Sequence, residues 1–172
     1  MTALPFARVW QAAVRPETLL DLLQRTSPAF LAHIATDIRG FACWCARDAG
    51  AASAGGVPHR VLHAAERFAA GTLPPGILAA ERRAAAGVAA DARDVGLSRR
   101  QPSAALQLAA ITTAEENPLE AARAASHYAA LAAVLREGEP AGLVVRIRQA
   151  SALRFFIPNP FKPEARRVYT EA

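Results

Sequence analysis

Lysine is almost missing from this 172-residue chain: Lys162 is the only one, against nineteen arginines. There is one methionine, there are two cysteines, and aromatic residues make up only 6%. Two cysteines separated by a single residue, Cys43 and Cys45, cannot make the disulfide framework of a small secreted domain, so a reducing cytoplasm is the expected setting. No apolar run approaches the ~18 residues of a membrane span, and no membrane association is expected. Residues 1–15 carry charges inside their apolar stretch and lack a cleavage-site pattern, so no signal peptide is expected. There is no glycine-rich dinucleotide or phosphate loop and no Gly-x-Ser-x-Gly elbow. Helix-turn-helix, zinc-finger and RNA-binding signatures are absent too. These gaps remove the nucleotide-dependent, serine-hydrolase and standard nucleic-acid-reading classes.

What fills the chain instead is alanine, at 43 positions. Alanine is the best helix former and has little bulk. An all-α fold is therefore expected: an alanine-rich bundle of six to eight helices, closely packed over small side chains. Proline is tolerated in the first turn of a helix, and Pro16, Pro28, Pro58, Pro75, Pro102 and Pro118 each precede an alanine- or leucine-rich segment. They predict helices over 16–25, 28–49, 58–70, 75–94, 102–115 and 118–137. Ser27 and Asn117 stand as N-caps; Gly50, Gly71, Gly96 and Gly138 stand where helices should end. A further helix is expected from about Leu143 to Phe155, and a short one over 4–14. Residues 50–57 and 96–101 read as loops. One domain is expected over 1–156, followed by an extended tail, 157–172, because three prolines in six residues (Pro158, Pro160, Pro163) forbid a helix.

The most distinctive stretch is Phe41-Ala42-Cys43-Trp44-Cys45-Ala46-Arg47. On a helical wheel Phe30, Leu31, Ile34, Ile38, Phe41 and Cys45 gather on one face, a core stripe. Cys43 lies about 160° away and Trp44 on the flank. Residues two apart on a helix do not face each other, so the two thiols can neither share a metal nor bridge. Cys45 reads as a small core residue. Cys43 either meets a second layer of helices or is a partly exposed thiol. A catalytic thiol would need a histidine partner and a lowered pKa, and nothing places one there.

His59, His63 and Glu66 form a His-x-x-x-His-x-x-Glu pattern with all three on one helix face. Histidines at i and i+4 can hold zinc, but Arg60 stands where a zinc protease has its glutamate. A solvated polar face is the plainer reading, and no cofactor is expected. With a net charge of +5, the arginine pairs Arg82-Arg83, Arg99-Arg100 and Arg166-Arg167 are the candidates for nucleic-acid contact, provided they converge on one surface.

Three phrases resemble a group of alanine-rich bacterial helical proteins. The first is Phe41-Ala42-Cys43-Trp44-Cys45-Ala46-Arg47. The second is Ala65-Glu66-Arg67-Phe68-Ala69, and the third is the closing Asn159-Pro160-Phe161-Lys162-Pro163. Residues 155–158, Phe-Phe-Ile-Pro, depart from that group's pattern, and the middle of the chain matches only in alanine content. The resemblance implies a helical fold and carries no activity. Together these features predict a non-enzymatic protein-interaction module of the bacterial cytoplasm, binding a protein partner or itself. The alternatives are an arginine-mediated nucleic-acid binder and a metal-dependent enzyme using His59 and His63. Phe41, Cys43, Trp44 and Cys45 are the expected structural hub, with Phe161 of the tail folded back near Phe41 and Trp44.

Overall fold

The computed structural model describes residues 4–161. The fold is all-α, with ten α-helices and no strand among the described residues. These are α1 (Leu4–Ala12), α2 (Pro16–Gln24), α3 (Pro28–His33), α4 (Ala35–Asp48), α5 (Gly56–Ala69), α6 (Pro75–Ala84), α7 (Ala86–Asp91), α8 (Pro102–Ile111), α9 (Pro118–Glu137) and α10 (Glu139–Phe156).

Prolines open most of these helices, and two side chains cap as expected. Ser27 Oγ accepts from the Phe30 amide at 3.2 Å, and Asn117 Oδ1 accepts from the Leu119 amide at 2.8 Å. Each satisfies an amide that the first helical turn leaves without a partner. Gly138 ends α9 at φ 91°, in the left-handed region that glycine enters without strain. Pro140 then opens α10 at once, so that helix begins four residues earlier than its apolar run suggests.

Two segments expected as single helices are each broken. The 28–49 segment turns at Ile34 (φ −94°, ψ 10°), which sends the Ile34 side chain into the core while Phe30 and Leu31 stay half-buried on α3. The 75–94 segment turns at Ala85 (φ −86°, ψ −6°) and ends in one π-helical turn over Ala92–Gly96. These breaks give ten helices where six to eight were expected. The stretch 50–57 is not a loop. Ala51–Ala54 form a 3-10 turn with Ala51 buried, and Gly56 already begins α5. Gly96 does not end a helix by left-handed geometry: it lies against α8, where a Cβ would sit 2.4 Å from that of Ala104.

The core forms around α4 and α9. The buried positions of α9 are alanines apart from Leu119 and Ser126, so α4, α8 and α10 can all pack closely on it. α4 supplies the bulk that α9 lacks: Ile38, Phe41, Cys43 and Cys45 are buried around its circumference. At the α9–α10 crossing, Gly142 lets the backbones meet; a Cβ there would lie 2.3 Å from Val134 Cγ2.

After α10 the chain is extended, and Ile157 and Phe161 are buried. The Phe161 ring packs on Phe6 and Trp10 of α1, with centroids 5.7 and 6.0 Å apart. The aromatic that reaches Phe41 is Phe156, at 6.3 Å. Of the expected tail, the described residues thus bring Phe161 onto α1, and Phe156 at the end of α10 is the ring that meets Phe41. Residues 162–172 of the expected tail lie outside the described residues.

Candidate functional site

Cys43 and Cys45 are both buried, at 3% and 1% exposure, and unbonded. Cys43 therefore meets a second layer of helices, which resolves the two readings its wheel position left open. Burial is the main cause that pushes its thiol up to about 12, reinforced by the nearby Glu66 carboxylate and opposed by Arg39 and Arg47. Burial raises Cys45 as well. The thiolate is the nucleophilic form, so at neutral pH both groups are neutral core side chains. Trp44, half-buried, stacks on Phe41 with ring centroids 6.4 Å apart.

His59 and His63 are exposed on α5 and border a shallow groove of about 290 Å³ with Arg60, Arg67, Ile77 and Glu81. Glu66 is not available to them. Arg47 of α4 holds it in a two-pronged ion pair, Nε to Oε1 and Nη2 to Oε2, the latter at 2.7 Å. His59 Nδ1 lies 3.1 Å from the Ala52 carbonyl. Among the described residues, no three His, Cys, Asp or Glu side chains gather closely enough to hold a metal ion.

The arginines form the largest set of functional-looking side chains, and the structure divides them. Arg82 pairs with Glu115 and Glu116 at 3.6 and 3.7 Å. Arg83, Arg99 and Arg100 are exposed, with no ion pair among the described residues. Arg166 and Arg167 lie outside those residues. Many of the other arginines tie helices together. Arg60 reaches Glu81, Arg123 reaches Asp21, Arg146 reaches Glu17 and Arg148 reaches Asp48. Arg39, at 3% exposure, donates to the carbonyls of Thr113, Glu115 and Glu116, closing the end of α8 and the 3-10 turn after it. Its guanidinium carbon lies 5.4 Å from the Phe68 ring centroid. Burial lowers the Arg39 pKa, yet guanidinium keeps its charge across the physiological range.

A groove of about 540 Å³ runs between the α3–α4 turn and the start of α9, along Leu31, Ala35, Ile38 and Leu119. Its polar lining is Asn117, occupied as the α9 cap, and Glu116, which pairs with Arg82 at 3.7 Å. A catalytic pocket needs convergent polar groups, and this one has none to spare.

The outer face of α10 is different. Leu143, Val144, Ile147 and Phe155 are exposed, Phe155 at 85% and Val144 at 57%. At 3.6 residues per turn they fall on one stripe, with Ser151 between Ile147 and Phe155. The opposite side buries Gly142, Val145, Gln149 and Leu153. All three arginines of the helix are engaged elsewhere: Arg146 with Glu17, Arg148 with Asp48, and Arg154 with the carbonyls of Trp10 and Ala13. The result is an uncharged apolar band on a surface helix. The expectation of a helix from about Leu143 to Phe155 does not by itself say which sides of that helix are covered. A signal was there: a surface helix should be apolar on one side, and this one is apolar on two.

No helix among the described residues is long and apolar enough to cross a membrane. The chain matches no protein-family model, no curated protein and no solved structure.

Proposed function

We propose that the protein is a non-enzymatic helical interaction module of the bacterial cytoplasm, which docks a protein partner through the outer face of α10. One observation carries the reading: Leu143, Val144, Ile147 and Phe155 stand exposed while the helix's own arginines are bound away from them. Contiguous exposed apolar side chains on a folded domain mark interaction surfaces. The buried thiols are neutral, and the groove beside α9 is mostly apolar, with its Asn117 and Glu116 engaged in the helix cap and in a pair with Arg82. The free thiols suit a reducing compartment. Of the arginines that the nucleic-acid alternative would use, Arg82 is held by Glu115 and Glu116, while Arg83, Arg99 and Arg100 are exposed.

The test is site-specific photo-crosslinking in living cells. A photoreactive residue at Val144 should yield a discrete adduct. The adduct should vanish in the Ile147→Glu variant and be absent when the probe is at exposed Ala90. Equal, diffuse labelling from both positions would sink the proposal.

A further inference from the structure

We infer that the partner on this face is a second copy of the chain, with the two α10 helices antiparallel across a two-fold axis; this rests on the reading of α10 as the docking face. The stripe runs from Leu143 to Phe155, about 18 Å at 1.5 Å per residue. Complete overlap of two such stripes puts the two-fold axis level with residue 149 along the helix, over the outer face opposite the buried Gln149 side chain. Leu143 then faces Phe155 of the second copy, and Ile147 faces Ser151 of the second copy. A bulky exposed side chain meets a small one at the inner pair, and the two ends close with Leu against Phe. A parallel pairing would set Phe155 on Phe155 and Ser151 on Ser151, leaving a gap one turn before a clash. Two-fold pairing needs such a self-complementary patch.

Charge points the same way. A partner with complementary charge needs a charged face to read, and this stripe presents none: Arg148 on its shoulder is held by Asp48 at 2.6 Å, and Arg154 is turned to the α1 carbonyls. A second copy brings an equally uncharged stripe. The antiparallel setting also places opposite helix-dipole ends side by side. The face is small beside the ~800 Å² per partner of a standard interface, so the pairing is weak and concentration-dependent. Each copy carries a net charge of +5, and this repulsion acts between copies. Salt screens it, so self-association should strengthen with salt, whereas docking of an acidic partner would weaken.

Sedimentation equilibrium on the full chain tests this. A monomer–dimer equilibrium is expected, with several-fold tighter association on going from about 0.05 M to about 0.5 M salt. Ile147→Glu and, separately, Val144→Glu should abolish it while leaving the far-UV circular dichroism unchanged. Mixing an Ile147→Cys chain with a Ser151→Cys chain should give the mixed disulfide faster than either self-disulfide, since Cys43 and Cys45 are buried. A dimer untouched by both glutamate variants would overturn the inference, as would a 147–147 disulfide that outpaces the mixed one. If the chain stays monomeric while the Val144 photo-adduct contains a different protein, the second copy is wrong and the docking face stands. If it stays monomeric and gives no specific adduct, both fall. An adduct with the mass of two chains supports both.

Discussion

Arg39 and Thr113, 74 residues apart, are joined in the core: the guanidinium of one donates to the main-chain carbonyl of the other. The same side chain serves Glu115 and Glu116 at 2.8 and 3.2 Å, so one cation closes the C-terminal end of a helical segment. A positive charge there also meets the negative end of the helix dipole. Arg39→Met removes the donors and strands three carbonyls, and should cost about 3 kcal/mol in urea unfolding. Arg39→Lys keeps the charge without the fork and should recover only part of that. A loss under about 0.5 kcal/mol for Arg39→Met would mean the carbonyls find other donors.

The buried thiols give a pH signature. Cys43 is raised from 9.0 to about 12 in the fold, so the folded state keeps its proton where the unfolded chain loses it. A raised pKa means this contribution is complete below pH 9 and is lost as pH climbs through 12. Stability should therefore fall over that alkaline window, and Cys43→Ala should lessen the fall. At neutral pH, a thiol reagent should label neither cysteine until denaturant is added. Rapid native labelling would contradict the burial of Cys43.

The α9–α10 crossing depends on Gly142. Gly142→Ala puts a Cβ 2.3 Å from Val134 Cγ2, and a β-branched side chain in a helix strongly prefers one rotamer, so turning it away is costly. The expected loss is about 1–3 kcal/mol. Adding Val134→Ala should return part of it, so that the double variant is more stable than the sum of the two singles predicts. Additive losses would show that the two positions do not crowd each other.

The α1 helix is held by the end of α10 and the chain after it. Arg154 Nε donates to the Trp10 carbonyl at 2.8 Å, Asn159 Nδ2 donates to the Ala7 carbonyl at 3.3 Å, and Phe161 covers Phe6 and Trp10. Arg154→Met should release α1 without unfolding the rest. Hydrogen exchange over residues 4–13 should then speed up by at least tenfold, with α4 and α9 unchanged. In a Trp44→Phe background, the Trp10 emission should shift to the red. Protection that changes uniformly across the chain would argue against a separable clasp.

Much of this architecture could be read from residue order, because proline, glycine and alanine act locally. Ser27 and Asn117 cap where their short polar side chains predict, and Pro118 opens α9 at the expected residue. The breaks at Ile34 and Ala85 could not be read, since neither carries a helix-breaking residue and both are set by what the flanking turns pack against. The packing of Cys43 followed from α4 having neighbours on both sides, a tertiary fact. The partners of Arg39 and Arg154 are likewise invisible in sequence, as backbone carbonyls have no residue-type signature. The α10 face could have been found by asking which side of that helix its arginines leave uncovered.

A core built on alanine reverses the usual pattern of mutational tolerance. Most interiors suffer when side chains shrink and leave cavities. Along α9, Ala122, Ala125, Ala129 and Ala130 are fully buried where neighbouring helices converge, and shortening can remove only a methyl. Enlargement is the danger, since an added methylene on any side must push a whole helix outward. At these four positions only glycine or serine could replace alanine without adding bulk, whereas the solvent-facing positions between them can take larger side chains freely.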